Sequence, residues 1–98
     1  MRLIYHPDAE AELIEAAQFY ERRVSTLGGQ FLDAADHAIG VIQDAPARWR
    51  IIEADVRRYL MPRFPYAIYY RALPDEIRVL AFKHHSRHLD YWRYRLSE

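Results

Sequence analysis

The chain has 98 residues, 51% hydrophobic and 14% aromatic, which suits one compact domain over residues 1–98 and excludes both a disordered polymer and two separate cores. It contains no cysteine, so disulfide frameworks, thiol nucleophiles and thiolate metal sites are ruled out, and a reducing compartment, the cytoplasm, is the expected location. Fourteen basic residues balance fourteen acidic ones, yet residues 1–55 sum to −5 and residues 56–98 to +5, with three of the five histidines in the second part. Such a split points to a basic working surface in the second half of the chain.

Leu3-Ile4-Tyr5 is a short apolar run that stops at His6-Pro7, a pairing that ends a strand and suits the first turn of a helix. No apolar leader follows the first residues and no run of about eighteen apolar residues occurs, so neither export nor membrane crossing is expected. The first helix is read from Pro7, with Asp8, Glu10 and Glu12 at its amino end and Arg22 and Arg23 at its carboxyl end, both favourable to the helix dipole. Leu13, Ala17, Tyr20 and Val24 form its apolar stripe, and Ser25 to Gly29 reads as the turn that follows. A second helix over about Leu27–Ala45 carries Leu27, Phe31, Ala35, Ala38 and Ile42, and Ala45-Pro46 closes it. Alanines on both stripes allow close approach, which predicts an antiparallel helix hairpin.

Ala47 to Ala54 is expected to be a loop anchored by Trp49. Three β-rich runs follow, Val56–Leu60, Phe64–Arg71 and Glu76–Lys83, separated by Pro62 and by Leu73-Pro74-Asp75, and they predict a meander. Strict alternation in the last run places Ile77, Val79 and Ala81 on one face, and Arg78, Leu80, Phe82 and His84 on the other. Asp90 to Leu96 is read as a short C-terminal helix or an ordered tail. The expected class is α+β: an N-terminal strand, an antiparallel helix hairpin packed on a mainly antiparallel sheet (β-α-α-β-β-β), and the short tail.

The densest polar stretch, Lys83 to Tyr91, lies just after the last strand, where a rigid scaffold fixes the base of a functional loop. Metal-free RNA cleavage needs a base, a cation for the phosphorane and an acid for the leaving oxygen; Lys83, His85, Arg87 and Tyr91 are the catalytic candidates if the chain is a nuclease. Arg58, Arg63, His84 and His88 are the candidates for binding a target or a phosphate. The bland alternative is a solvated basic loop whose histidines cap chain ends. His84, His88 and Asp90 do not form a matched zinc motif, Gly28-Gly29 lacks the spacing of a phosphate loop, and no metal or other cofactor is expected.

Arg58-Tyr59-Leu60, the run Arg63-Phe64-Pro65-Tyr66-Ala67-Ile68-Tyr69-Tyr70-Arg71, the run Ile77 to Arg87, and Tyr91-Trp92, in this order of elements, resemble the RelE/ParE superfamily of toxins from type II toxin-antitoxin modules. The resemblance spans essentially the whole chain and implies a cytoplasmic protein neutralised by a cognate antitoxin in a hetero-oligomer. RelE-like members cleave messenger RNA on the ribosome, whereas ParE-like members poison DNA gyrase. RelE-type enzymes commonly carry an arginine where this chain has Ala67, and a second where it has His85, while Tyr91 fits their tail tyrosine. His84-His85-Ser86-Arg87 is similar to the loop of ParE-like proteins. The resemblance therefore implies a ParE-like toxin acting on gyrase; the alternatives are a RelE-like messenger-RNA endonuclease and an inactive member that binds only antitoxin or nucleic acid.

Overall fold

The computed structural model describes residues 1–97. Strand β1 (Arg2–Tyr5) leads into helices α1 (Pro7–Arg23) and α2 (Leu27–Asp44), followed by β2 (Ile51–Glu53), β3 (Val56–Leu60), β4 (Tyr66–Ala72), β5 (Glu76–His84) and a 3-10 turn over Arg93–Ser97. The five strands form one sheet in the order β1-β5-β4-β3-β2, with β1 parallel to β5 and every other pair antiparallel. The α+β arrangement is the expected one, and the tail resolves as the 3-10 turn.

The start of α1 follows from its local sequence. Pro7 occupies the first turn, where its missing N–H costs nothing, and His6 Nδ1 accepts from the Asp8 amide at 3.0 Å. The start of α2 is unusual, because Thr26 sits in the left-handed region at φ 73° and gives no side-chain cap. Glu21 of α1 supplies the cap instead: its carboxylate accepts from the Thr26 amide at 3.0 Å and from the Gly28 amide at 2.9 Å. Gly28 and Gly29 therefore belong to the first turn of α2 and not to the connecting turn. A Cβ on Gly28 would lie 2.5 Å from the Ala17 carbonyl oxygen, so this glycine lets the helices approach at the hairpin's closed end. Val24, assigned to the apolar stripe by periodicity, is exposed because α1 ends at Arg23 and the chain turns outward in extended geometry.

Two further differences concern the sheet. Ile51–Glu53 is a strand within the segment expected to be a loop; it pairs with β3, so Arg57 and Arg58 lie on an interior strand and not on the edge. Arg57 Nη1 donates to the Ala47 and Trp49 carbonyls at 3.0 and 2.7 Å, and the Tyr70 hydroxyl donates to the Pro46 carbonyl at 2.7 Å, fixing the loop that carries Trp49. The second difference is a register shift between β4 and β5: Tyr69 faces Ala81 while Tyr70 faces Val79, so Leu80 is an extra residue. The extra residue reverses the alternation beyond Val79. Leu80 and Ala81 both join the core on the side away from the helices, whereas Ile77, Val79 and Phe82 pack beneath α1 and α2.

The helix-side core combines Ala9, Ala16 and Ala17 of α1 and Phe31, Ala35, Ala38, Ile39 and Ile42 of α2 with Tyr59, Ile68, Tyr70, Ile77, Val79 and Phe82 of the sheet. A smaller cluster on the far face joins Val56, Ala67, Tyr69, Leu80 and Ala81 to Trp92, whose ring centroid lies 5.1 Å from that of Tyr69. The tail thus covers one part of the far face. Among the described residues no helix is long and apolar enough to cross a membrane.

Candidate functional site

The far face of the sheet beyond the tail is where the basic half of the sequence converges. Arg58, Leu60, Ala67, Tyr69, Lys83, His85 and Leu89 line an open cleft of about 320 Å³. Strand register explains the convergence: Leu60 stands opposite Ala67, and Ala67 opposite Lys83, so a methyl group forms the floor between two longer side chains. Arg58 is two residues earlier on β3 and faces the same way, and His85 follows β5, its amide held by the Pro65 carbonyl at 2.9 Å.

Lys83 is 4% exposed, and its ammonium donates to the His84 carbonyl at 3.3 Å. Burial lowers its pKa, and Arg58 and Arg87 lower it further by repulsion. Elsewhere in the second half Arg71 pairs with Asp55 at 2.9 Å, Arg78 with Glu76 at 2.7 Å, Arg93 with Glu53, and Arg95 with Glu12 at 2.9 Å. Among the described residues no ion pair is made by Arg57, Arg58, Arg63, Lys83 or Arg87; Arg57 and Arg63 instead donate to the carbonyls of Ala47 and Trp49 and to Gln30.

The remaining sequence-derived candidates lie elsewhere. His84 points to the helix side with its ring edge-on to Tyr66 at 5.1 Å, and its Nδ1 takes the Ser86 amide at 3.0 Å. His88 Nδ1 likewise accepts from the Asp90 amide at 3.1 Å. These two histidines stabilise the turn locally, and among the described residues no set of three His, Asp or Glu side chains is placed to hold a metal. Arg63 lies over the Phe64 ring and reaches Gln30 of α2, lining a separate hollow with Asp33 and His37. Arg87 stacks over the Tyr91 ring, 3.9 Å from its centroid, and borders a third hollow with Glu12, Glu15, Phe19 and Tyr66. The Tyr91 hydroxyl is buried; burial, and then the adjacent Glu12 carboxylate, push its pKa far above the usual tyrosine value.

Sequence reasoning missed the pair that organises this edge. β1 ends opposite Val79, so Leu80–His84 has no strand on its outer side. Glu12 of α1 and Arg95 of the tail fill the gap: Glu12 Oε1 accepts from the Phe82 amide at 3.1 Å, and Arg95 Nη1 donates to the Leu80 carbonyl at 2.9 Å. The two side chains also bond to each other through both carboxylate oxygens, at 2.9 and 3.0 Å. Tyr94 adds a hydroxyl hydrogen bond to Asp8 of α1. Nothing in the local sequence marks partners this far apart.

Comparison with known proteins places this architecture. The sequence matches the family described as ParE toxin of type II toxin-antitoxin system, parDE, over residues 3–89. The chain therefore belongs to the ParE toxin family. A solved structure described as the chromosomal ParDE toxin-antitoxin system from P. aeruginosa is similar in fold, with a TM-score of 0.65 at 20% identity, over 86% of this chain and 95% of that one. Among curated proteins no match was found.

Proposed function

We propose that this chain is the toxin of a two-protein module in the cytoplasm, that it arrests growth by binding DNA gyrase, and that a cognate antitoxin neutralises it in a hetero-oligomer. The observation that carries this reading is the family match over residues 3–89. Ala67, where RelE-like enzymes carry an arginine, supports a binding toxin over a nuclease. The exterior of the hairpin supports the antitoxin: Ile14, Phe19 and Leu32 are large apolar side chains left exposed, as a segment that folds on binding requires. Contacts are expected along the hairpin and the meander. The purified, folded chain should inhibit gyrase-driven DNA supercoiling, and the antitoxin should relieve the inhibition. No inhibition at micromolar excess would refute the gyrase reading.

Ribosome-dependent cleavage of messenger RNA has one observation in its favour, the meeting of Lys83 and His85 in a single cleft. The other two catalytic candidates weigh against it, since Arg87 borders a different hollow and the Tyr91 hydroxyl is buried. Toxicity that persists in the triple variant His85→Ala, Arg87→Ala, Tyr91→Phe, with messenger RNA intact, would remove that reading.

A further inference from the structure

Three histidines accept, on Nδ1, the backbone amide of the residue two positions on: His6 from Asp8, His84 from Ser86 and His88 from Asp90. An amide can only donate, so in each ring Nδ1 carries the lone pair and the proton sits on Nε2. Of the three, only His84 has a serine at that position, and the Ser86 hydroxyl lies 2.8 Å from the same Nδ1. That atom bears no proton, so the hydroxyl is the donor. Closing the turn needs the amide alone, as His6 and His88 show. The hydroxyl is an addition, and a serine hydroxyl donating to an unprotonated imidazole is the pairing of a nucleophile with its base. We propose that Ser86 is an acyl-acceptor site: its hydroxyl, activated by His84, takes an acyl group from an ester or thioester. This goes beyond the gyrase reading and is tested without gyrase or antitoxin.

The surroundings suit that reaction and select the donor. His84 is the last residue of β5, paired with Tyr66 of β4, and its ring lies edge-on to the Tyr66 ring at 5.1 Å. The base is therefore held by a strand, while the nucleophile stands on the exposed turn that follows, open to a donor from solvent. Both residues line the open hollow that Arg87 borders, about 360 Å³ in volume. Ala16 and Phe19 of α1 and Tyr66 and Phe82 of the sheet give it an apolar wall, which suits an uncharged acyl chain. Glu12 and Glu15 outnumber Arg87 among its lining residues, so a polyanionic donor such as a nucleoside triphosphate is disfavoured, and with it phosphoryl transfer. In the reaction Ser86 Oγ bonds to the carbonyl carbon of the donor and its proton passes to His84 Nδ1. The bond from that carbon to the leaving oxygen or sulfur then breaks, and the same proton departs on the alcohol or thiol. The product is an ester at Ser86, with His84 returned to its starting form.

The experiment treats the purified chain with 4-nitrophenyl acetate and locates the acetyl groups by peptide mass spectrometry. Ser25, also exposed but donating to no imidazole among the described residues, is the internal reference. Ser86 should be acetylated at least about tenfold faster than Ser25. His84→Gln keeps an acceptor for the amide but cannot take the proton, and should bring Ser86 down toward the Ser25 rate. His37→Ala, which removes an exposed imidazole from α2, should leave the ratio of the two serines unchanged. Thermal melting confirms that each variant is folded. If His84→Gln is not, the unaltered chain decides, because unfolding it in urea separates Ser86 from its base and should equalise the two serines. Equal rates at the two serines in the folded chain would overturn the site, as would a Ser86 rate unchanged by His84→Gln or by urea, or acetyl groups on lysine and histidine alone. Phosphate on Ser86 after incubation with ATP and magnesium, in place of acetylation by the ester, would also overturn it.

Discussion

On the side of the sheet that meets the helices, Tyr59, Ile68, Tyr70, Ile77, Val79 and Phe82 lie beneath Phe31, Ala35, Ala38 and Ile42 in one continuous apolar layer. On the other side, Trp92 covers Tyr69, Leu80 and Ala81, and the rest of the surface is left open around Ala67 and Lys83. The same strands supply both, since alternate residues of β4 point to each. The helix-covered face is core throughout, whereas the far face is core only beneath Trp92 and beyond it carries Lys83, a buried charge that the fold would be more stable without.

The largest expected effect comes from the ion pair that ties the two sides together. Glu12→Ala leaves Arg95 buried without a carboxylate and frees the Phe82 amide; it should lower stability by about 3–5 kcal/mol in urea unfolding and expose Trp92, seen as a red shift of its fluorescence. A result below about 1 kcal/mol would mean that the tail is held by Trp92 packing alone.

Alkaline titration tests the buried tyrosines, those under the helices together with Tyr91 beneath the tail. Burial raises the pKa values of Tyr5, Tyr20 and Tyr66, and pushes that of Tyr70 up to about 12. The folded state holds these protons more tightly than the unfolded chain, so their contribution is complete below pH 10 and is lost as pH rises from 10 toward 12. Tyr70 alone withdraws about 3 kcal/mol over that interval. Unfolding free energy measured from pH 8 upward should be level until about pH 10 and then fall, and Tyr70→Phe should lessen the fall.

Gly28→Ala should cost about 2 kcal/mol in urea unfolding, because the clashing atom is a backbone carbonyl that cannot rotate away. The smallest effect has the opposite sign. Lys83→Met removes a desolvated charge at nearly constant volume and should raise stability by about 1 kcal/mol at pH 7, read by calorimetry as a higher Tm. Its pH dependence follows from the same cause: Lys83 penalises the fold while protonated, and the penalty lifts as pH rises through its lowered pKa, so the gain from methionine should shrink at high pH.

Much of the fold was legible because its signals are local. The α2 stripe of Phe31, Ala35, Ala38 and Ile42, the Pro7 start of α1 and the three β-rich runs each appear within one turn or one strand. The misreadings have physical causes. A period of two cannot reveal an inserted residue, so the bulge at Leu80 moved Ala81 and Phe82 to faces opposite those expected. A Gly-Gly pair reads as a turn until the second helix is placed against it, and β2 is three residues long, too short to show alternation. The site was legible by residue type but not by grouping. Arg58, Lys83 and His85 share a cleft, while Arg63, His84, His88 and Arg87 were dispersed by strand parity and by the turns that use them. Ala67 entered the reading as a missing arginine; in three dimensions it is the residue that makes room.

The outer edge of β5 has a consequence for the protein's company. An exposed strand edge invites any extended chain, including another copy of itself, to continue the sheet. Here the Leu80 carbonyl and the Phe82 amide are already engaged by Arg95 and Glu12, so an incoming strand meets side-chain charge instead of vacant backbone groups. To gain those hydrogen bonds it would have to separate a buried ion pair and leave both charges stranded. Homotypic sheet extension is thus resisted by electrostatics, and only a segment bringing its own replacement charges could lodge along that edge without a net loss.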